Sequence, residues 1–130
     1  LAVRLDPGEE IIASVLKIAK DEDIRFAEIS AIGAVGRAVF GLYDLEEQKY
    51  HSLTFVQPLE LVSLNGNLSR KDGEPYLHLH AAFADEKGAV IGGHLNEAVI
   101  SATCEMFIKI FDIDMGRRIS EQTGLNIFDI

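Results

Sequence analysis

Residues Glu74–His94 read EPYLHLHAAFADEKGAVIGGH, and the pairing of this stretch with itself decides the fold around it. Tyr76–Ala84 alternates and is rich in apolar and aromatic residues, the pattern of a half-buried strand. Asp85-Glu86-Lys87-Gly88 supplies turn chemistry, and Ala89-Val90-Ile91 leads into a second strand. A three-residue hairpin loop ends on a left-handed residue, which suits Gly88 with Glu86 and Lys87 ahead of it. Asp85 then faces Ala89, and counting back along both strands sets His80 opposite His94. His78 shares the face of His80 because strand side chains alternate with period two. It lies diagonal to His94, within the reach of long side chains. A two-residue loop would send His94 to the other face, and a bulge at Gly92-Gly93 would also disturb the pairing.

In this register Leu77, Leu79, Ala81 and Phe83 stand against Ile91 and Leu95 and form the core side. The histidine face carries Ala82, Ala84 and Gly92, small residues that leave room beside the rings. Three neutral imidazoles on one point suit zinc or another borderline divalent metal, with a position left open for water or a substrate oxygen. His-X-His on a strand is also what a solvated or subunit-facing surface carries, and spacing alone leaves both readings open.

Outward from the hairpin, Leu1–Leu5 alternates weakly, as an edge strand would. Asp6-Pro7-Gly8-Glu9 reads as a helix start, with Asp6 as N-cap, Pro7 in the first position and Glu9 completing a capping box. Ile12, Val15, Leu16 and Ala19 form the apolar stripe of that helix, and Asp21-Glu22-Asp23 its solvated acidic end. From Arg25 the pattern turns to β: a strand over 26–32, a break at Gly33–Gly36, and strands over 37–44, 49–56 and 59–68. Ser69–Pro75 reads as a loop, 98–113 as a further strand, and Gly116 opens a polar tail whose Leu125, Ile127, Phe128 and Ile130 need cover. Glu60 is an acid in an apolar strand, which calls for a partner. It could hold a metal-bound water, orient a histidine as an acceptor, or pair with an arginine of a neighbouring subunit. His51 reads as an exposed strand histidine, and Cys104 as a small buried hydrophobe rather than a nucleophile.

Several of these stretches together resemble one family. Gly73–His80, Asp85–Leu95 and Leu59-Glu-Leu-Val-Ser-Leu-Asn-Gly-Asn67 are similar to the signatures of the plant and prokaryote conserved (PPC) domain, also called PD1-like or DUF296. Gly33 after Ile29-Ser-Ala-Ile32, and Thr123-Gly124-Leu125, match as well. The resemblance implies a homotrimer with a metal held by His78, His80 and His94, in a family to which DNA binding is ascribed.

The fold class expected is α/β of the α+β kind: one domain over residues 1–130, mostly antiparallel β-sheet with the N-terminal helix packed on it. A net charge of −9 repels phosphate backbones and anionic membranes. The Arg70-Lys71 pair is too small for a nucleic-acid patch, and Gly116-Arg117-Arg118 lacks the proline of an AT-hook. Any contact with DNA is therefore expected through a partner, and no membrane contact is expected. One cysteine rules out an intrachain disulfide, and the absence of a signal-like start or a long apolar run points to the cytoplasm. Three functional readings follow. The first is a regulatory module built around a three-histidine metal site. The second is a small zinc-dependent hydrolase or lyase, with Glu60 and Glu74 as the nearby acids. The third is a histidine face that binds a small anion without metal.

Overall fold

The computed structural model describes residues 1–130, and its chain order follows from where the apolar residues alternate. The elements are β1 (Ala2–Leu5), α1 (Ile11–Asp21), β2 (Ala27–Asp44), β3 (Lys49–Phe55), β4 (Leu59–Lys71), β5 (Glu74–Ala84), β6 (Val90–Ile110), β7 (Arg117–Ile119) and β8 (Asn126–Phe128). The first six strands form one antiparallel sheet in the order β1-β6-β5-β4-β2-β3, and β6 pairs with β2 as well. That extra pairing closes β2, β4, β5 and β6 on themselves, leaving β1 and β3 as the edges. The inward positions of the closed strands, among them Ile29, Phe40, Leu64, Phe83 and Met106, are fully or nearly fully buried in one apolar cluster. No helix is long and apolar enough to cross a membrane.

Helix α1 lays Ile11, Val15 and Ala19 against that cluster, a spacing of four that keeps them on one face. Its start is not the expected one. Glu10, not Asp6, is the N-cap: its carboxylate accepts from the backbone N–H of Ile12 and Ala13, and of Ala98 on β6. Asp6–Glu9 instead makes a turn ahead of the helix, with Gly8 at φ +91° and its N–H given to the Ile100 carbonyl. Glu9 does reach back to the Asp6 N–H, so half of the expected box exists one turn early. At the other end Asp23 takes the left-handed conformation, and the Ile24 N–H closes on the Ala19 carbonyl.

Three of the expected boundaries inside the sheet also differ. Strand β2 runs unbroken through Gly33–Gly36, with bulges rather than a break. Gly33 is there because a Cβ would lie 2.3 Å from the Thr103 carbonyl oxygen, where β6 crosses close. The segment expected as a loop at 69–75 is mostly strand: β4 and β5 continue to Lys71 and from Glu74, joined by Asp72-Gly73, both at positive φ. Likewise, the return strand of the histidine hairpin and the strand expected over 98–113 are one element, β6. The tail folds into a two-stranded hairpin, β7–β8, rather than a polar coil.

Candidate metal centre

The β5–β6 turn sets the register of the histidine face. The Asp85 carbonyl accepts from Gly88 N–H, and its carboxylate accepts from the N–H groups of Lys87 and Ala89. Gly88 stands at φ +77°, so the loop is the three-residue kind read from the sequence. His80 therefore pairs with His94, and Ala84 with Val90. Leu79, Ala81, Phe83 and Leu95 point the other way and are buried.

The structure brings the three imidazoles together. Ring centroids lie 5.2 Å apart for His78–His80, 5.2 Å for His78–His94 and 5.5 Å for His80–His94. One ring nitrogen from each falls within 4.8 Å of the others. His78 and His94 are half-buried, and His80 is exposed. Burial, and then the neighbouring imidazoles His94 and His80, push the His78 pKa down to about 4. The same causes lower that of His94, burial first and His80 second. Both rings are thus neutral at pH 7 and keep a lone pair free for a cation.

The rings form the floor of a cleft of about 530 Å³. One wall comes from Leu42, Tyr43 and Tyr50 of the β2–β3 hairpin, the other from Gly124–Ile127 of the C-terminal hairpin. No aspartate, glutamate, lysine or arginine lines it. Tyr50 Oη hydrogen-bonds the Asn96 side-chain oxygen and lies 3.1 Å from the His94 carbonyl. Burial raises its pKa against the pull of Asn96, so the phenol stays protonated.

Behind the far wall the Arg117 guanidinium carbon lies over the rings of Tyr76 and Phe128, 4.6 Å from each centroid. Its guanidinium donates to Ser69 Oγ at 2.6 Å, Asn67 Oδ1 at 2.6 Å and the Asn126 carbonyl at 3.0 Å. Burial lowers its pKa, and Tyr76 opposes that shift. These contacts pin β7–β8 onto β4 and β5 beside His78, whose register partner on β4 is Asn67.

The other candidates stand apart from this centre. Glu60 is exposed and pairs in register with Ala84, four residues along β5 from His80. At the rise of a strand that is about 13 Å, so Glu60 does not orient these rings within one chain. Glu74 forms an ion pair with Lys20 of α1 at 3.2 Å. Cys104 is fully buried, and burial, then Glu105, pushes its thiol up to about 11, as suits a core residue. Sequence reasoning missed Tyr50, Arg117 and Asn126. The apolar residues at 125–130 were the one signal for Arg117 and Asn126, since residues that need cover in a tail have to pack somewhere.

Comparison with known proteins follows the same lines. The family model described as the Plants and Prokaryotes Conserved (PCC) domain matches residues 1–112. The bifunctional protein GlmU of Synechococcus sp. (strain JA-3-3Ab) is 32% identical over 108 residues, which are 82% of this chain and 16% of that protein. The chain thus spans only a small part of the length of the curated relatives it matches. A metal-containing protein from Archaeoglobus fulgidus is 37% identical with a TM-score of 0.91, covering 98% of this chain and 91% of its own. A candidate DNA-binding protein from Bacteroides thetaiotaomicron is 26% identical with a TM-score of 0.95, covering 98% of this chain and 90% of its own.

Proposed function

We propose, from the premise that this chain belongs to the Plants and Prokaryotes Conserved (PCC) domain family, that it is a regulatory module built on a divalent metal held by His78, His80 and His94. The observation that carries this reading is the convergence of three imidazole nitrogens within 4.8 Å. The donor set fits the metal: neutral nitrogens and no carboxylate suit zinc better than a hard cation such as calcium or magnesium. The similar Archaeoglobus fulgidus protein is described as metal-containing, which agrees.

The working unit is a homotrimer. Ile32, Val62 and Phe107 are 57%, 45% and 66% exposed on strands β2, β4 and β6, and subunit contact would cover them. DNA, to which the Bacteroides thetaiotaomicron relative's description refers, is reached through a partner. A net charge of −9 over the whole chain disfavours direct contact with a phosphate backbone.

A second reading rests on the cleft itself. A recess of about 530 Å³ beside a three-nitrogen site has the size of a small-molecule pocket. In a hydrolase or lyase the metal would supply Lewis-acid chemistry. The protonated phenol of Tyr50 would offer a proton or a hydrogen bond at the cleft wall.

One preparation of the full chain tests the main reading. Elemental analysis is expected to find one zinc per chain and light scattering three chains per particle, with no tight band in a low-salt DNA titration. A chain that retains no metal after dialysis against zinc would overturn the metal site. A monomer would remove the trimer, and tight, steeply salt-dependent binding would restore direct DNA contact.

A further inference from the structure

The C-terminal hairpin lies beyond the residues that the family model matches, yet it builds one wall of the histidine cleft. Within that wall Asn126 is anomalous. Its Oδ1 is buried with no hydrogen-bond partner, while its Nδ2 donates to Tyr76 Oη at 3.4 Å. No other buried side-chain nitrogen or oxygen in the chain is left unpaired. A buried acceptor without a donor is a standing cost. Arg117 could have donated to this oxygen, but it donates to the Asn126 backbone carbonyl and fixes the residue in place.

We infer that the cleft takes a small organic carboxylate carrying a separate hydroxyl or amino donor, and that Asn126 selects for that donor. The inference rests on the metal reading above and names the ligand class of the same site. The charge follows from the lining: a dication on three neutral rings, in a cleft with no acidic side chain, leaves a net positive centre that calls for an anionic oxygen. Size and walls follow from the recess of about 530 Å³ faced by Leu42, Leu125 and Ile127, which admits a short apolar body and excludes a nucleic-acid strand. The donor follows from Asn126. The terminal torsion of an asparagine is broad, so its amide can swing the unpaired oxygen toward a ligand in the cleft. A site that leaves a polar group unpaired without the right ligand discriminates against analogues that lack the partner.

The test uses the full chain loaded with cobalt in place of zinc, read by its visible spectrum. The probes are butyrate, 3-hydroxybutyrate and 4-hydroxybutyrate, which place the donor at two distances. At least one hydroxylated probe is expected to bind about tenfold more tightly than butyrate, the worth of one hydrogen bond in a closed site. Asn126→Leu is expected to abolish that ratio with cobalt content unchanged. Asn126→Asp, which keeps the acceptor, is expected to preserve the ratio while weakening all three anions. Equal binding of the three probes to the natural chain overturns the inference, whether or not the variants fold. So does a ratio that survives Asn126→Leu, or a cobalt spectrum that no probe shifts. Failure of the chain to hold cobalt is a different result, since it removes the metal site itself and the inference with it.

Discussion

Two groups of side chains in this molecule gather ligand atoms within 4.8 Å: His78, His80 and His94 in the cleft, and Asp44, Glu47 and His51 at the tip of the β2–β3 hairpin. By composition the hairpin tip is the stronger candidate for a cation, because it brings two carboxylates and therefore charge. What distinguishes the two groups is what their side chains are already doing. At the hairpin tip Asp44 Oδ1 accepts from the N–H groups of Glu46 and Glu47, each at 2.9 Å, and so shapes the turn. Glu47 pairs with His51 at 3.1 Å, and both are exposed. Each member has a partner, and water surrounds them. In the cleft the rings face one another across a fixed strand register, with no acid beside them. Atoms brought close by a turn satisfy the turn, whereas atoms brought close by a sheet and left unpaired are prepared for something else.

Removing one member of each group gives the largest expected contrast. His80→Ala should strip metal from the chain, by more than the roughly 10- to 100-fold that losing an outer-shell partner costs. His51→Ala should leave metal content unchanged. Elemental analysis of both variants after identical dialysis decides the matter. Loss confined to His51→Ala would mean that the hairpin tip is the host, and unchanged metal in His80→Ala would end the cleft assignment.

How much of this contrast was legible in the sequence depends on the range of the interaction. The histidine register was readable because a local rule fixes it: Gly88 closing a three-residue loop leaves one pairing, and His80 meets His94 as counted. The helix stripe was readable for the same reason, although its cap was not. Glu10 caps α1 because its carboxylate also serves the Ala98 N–H of β6, a contact 88 residues away that no local pattern announces. The continuity of β2 through Gly33 was hidden likewise. A glycine there reads as a break unless the strand crossing at Thr103 is known. The second wall of the cleft was the least legible part. Arg117 reads as part of a polar tail until its guanidinium is placed over the rings of Tyr76 and Phe128.

A smaller effect should come from the backbone beneath the centre. Gly92 pairs with Ala82, and a Cβ there would lie 2.1 Å from the Ala81 carbonyl oxygen and 2.9 Å from the Ala82 Cα. Those are main-chain atoms of the neighbouring strand, so the strands must part. Gly92→Ala should cost roughly 1–3 kcal/mol and weaken metal binding, since it shifts His94 relative to His80. At the hairpin tip Glu47→Ala should cost no more than about 0.5 kcal/mol, as an exposed ion pair does. Urea melts of both variants, with metal titrations of the first, measure the difference. A Gly92→Ala variant as stable as the natural chain would show that the β5–β6 register is looser than the contrast requires.

The smallest effect is a slope with pH, and it separates the regions by burial alone. His78 has its pKa pushed down to about 4 in the folded chain, by burial and then by His94 and His80, against about 6.5 for a free imidazole. As the pH falls below that free value, the unfolded chain binds a proton that the folded chain still refuses. Stability therefore declines between roughly pH 6.5 and pH 4 and stops changing on this account once both states are protonated. His94 is shifted in the same direction and adds to the decline. Because these rings are only half-buried, solvent softens the effect. The measurement is the difference in Tm between metal-free natural chain and metal-free His78→Asn, followed from pH 7.5 to pH 5. The natural chain should lose more Tm over that interval than the variant. Parallel curves for natural chain and His78→Asn would show that the rings sit in a wetter cleft than its walls of leucine, isoleucine and tyrosine imply. Water in such a cleft would pair with the Asn126 amide oxygen and leave it no preference for a ligand that carries a donor.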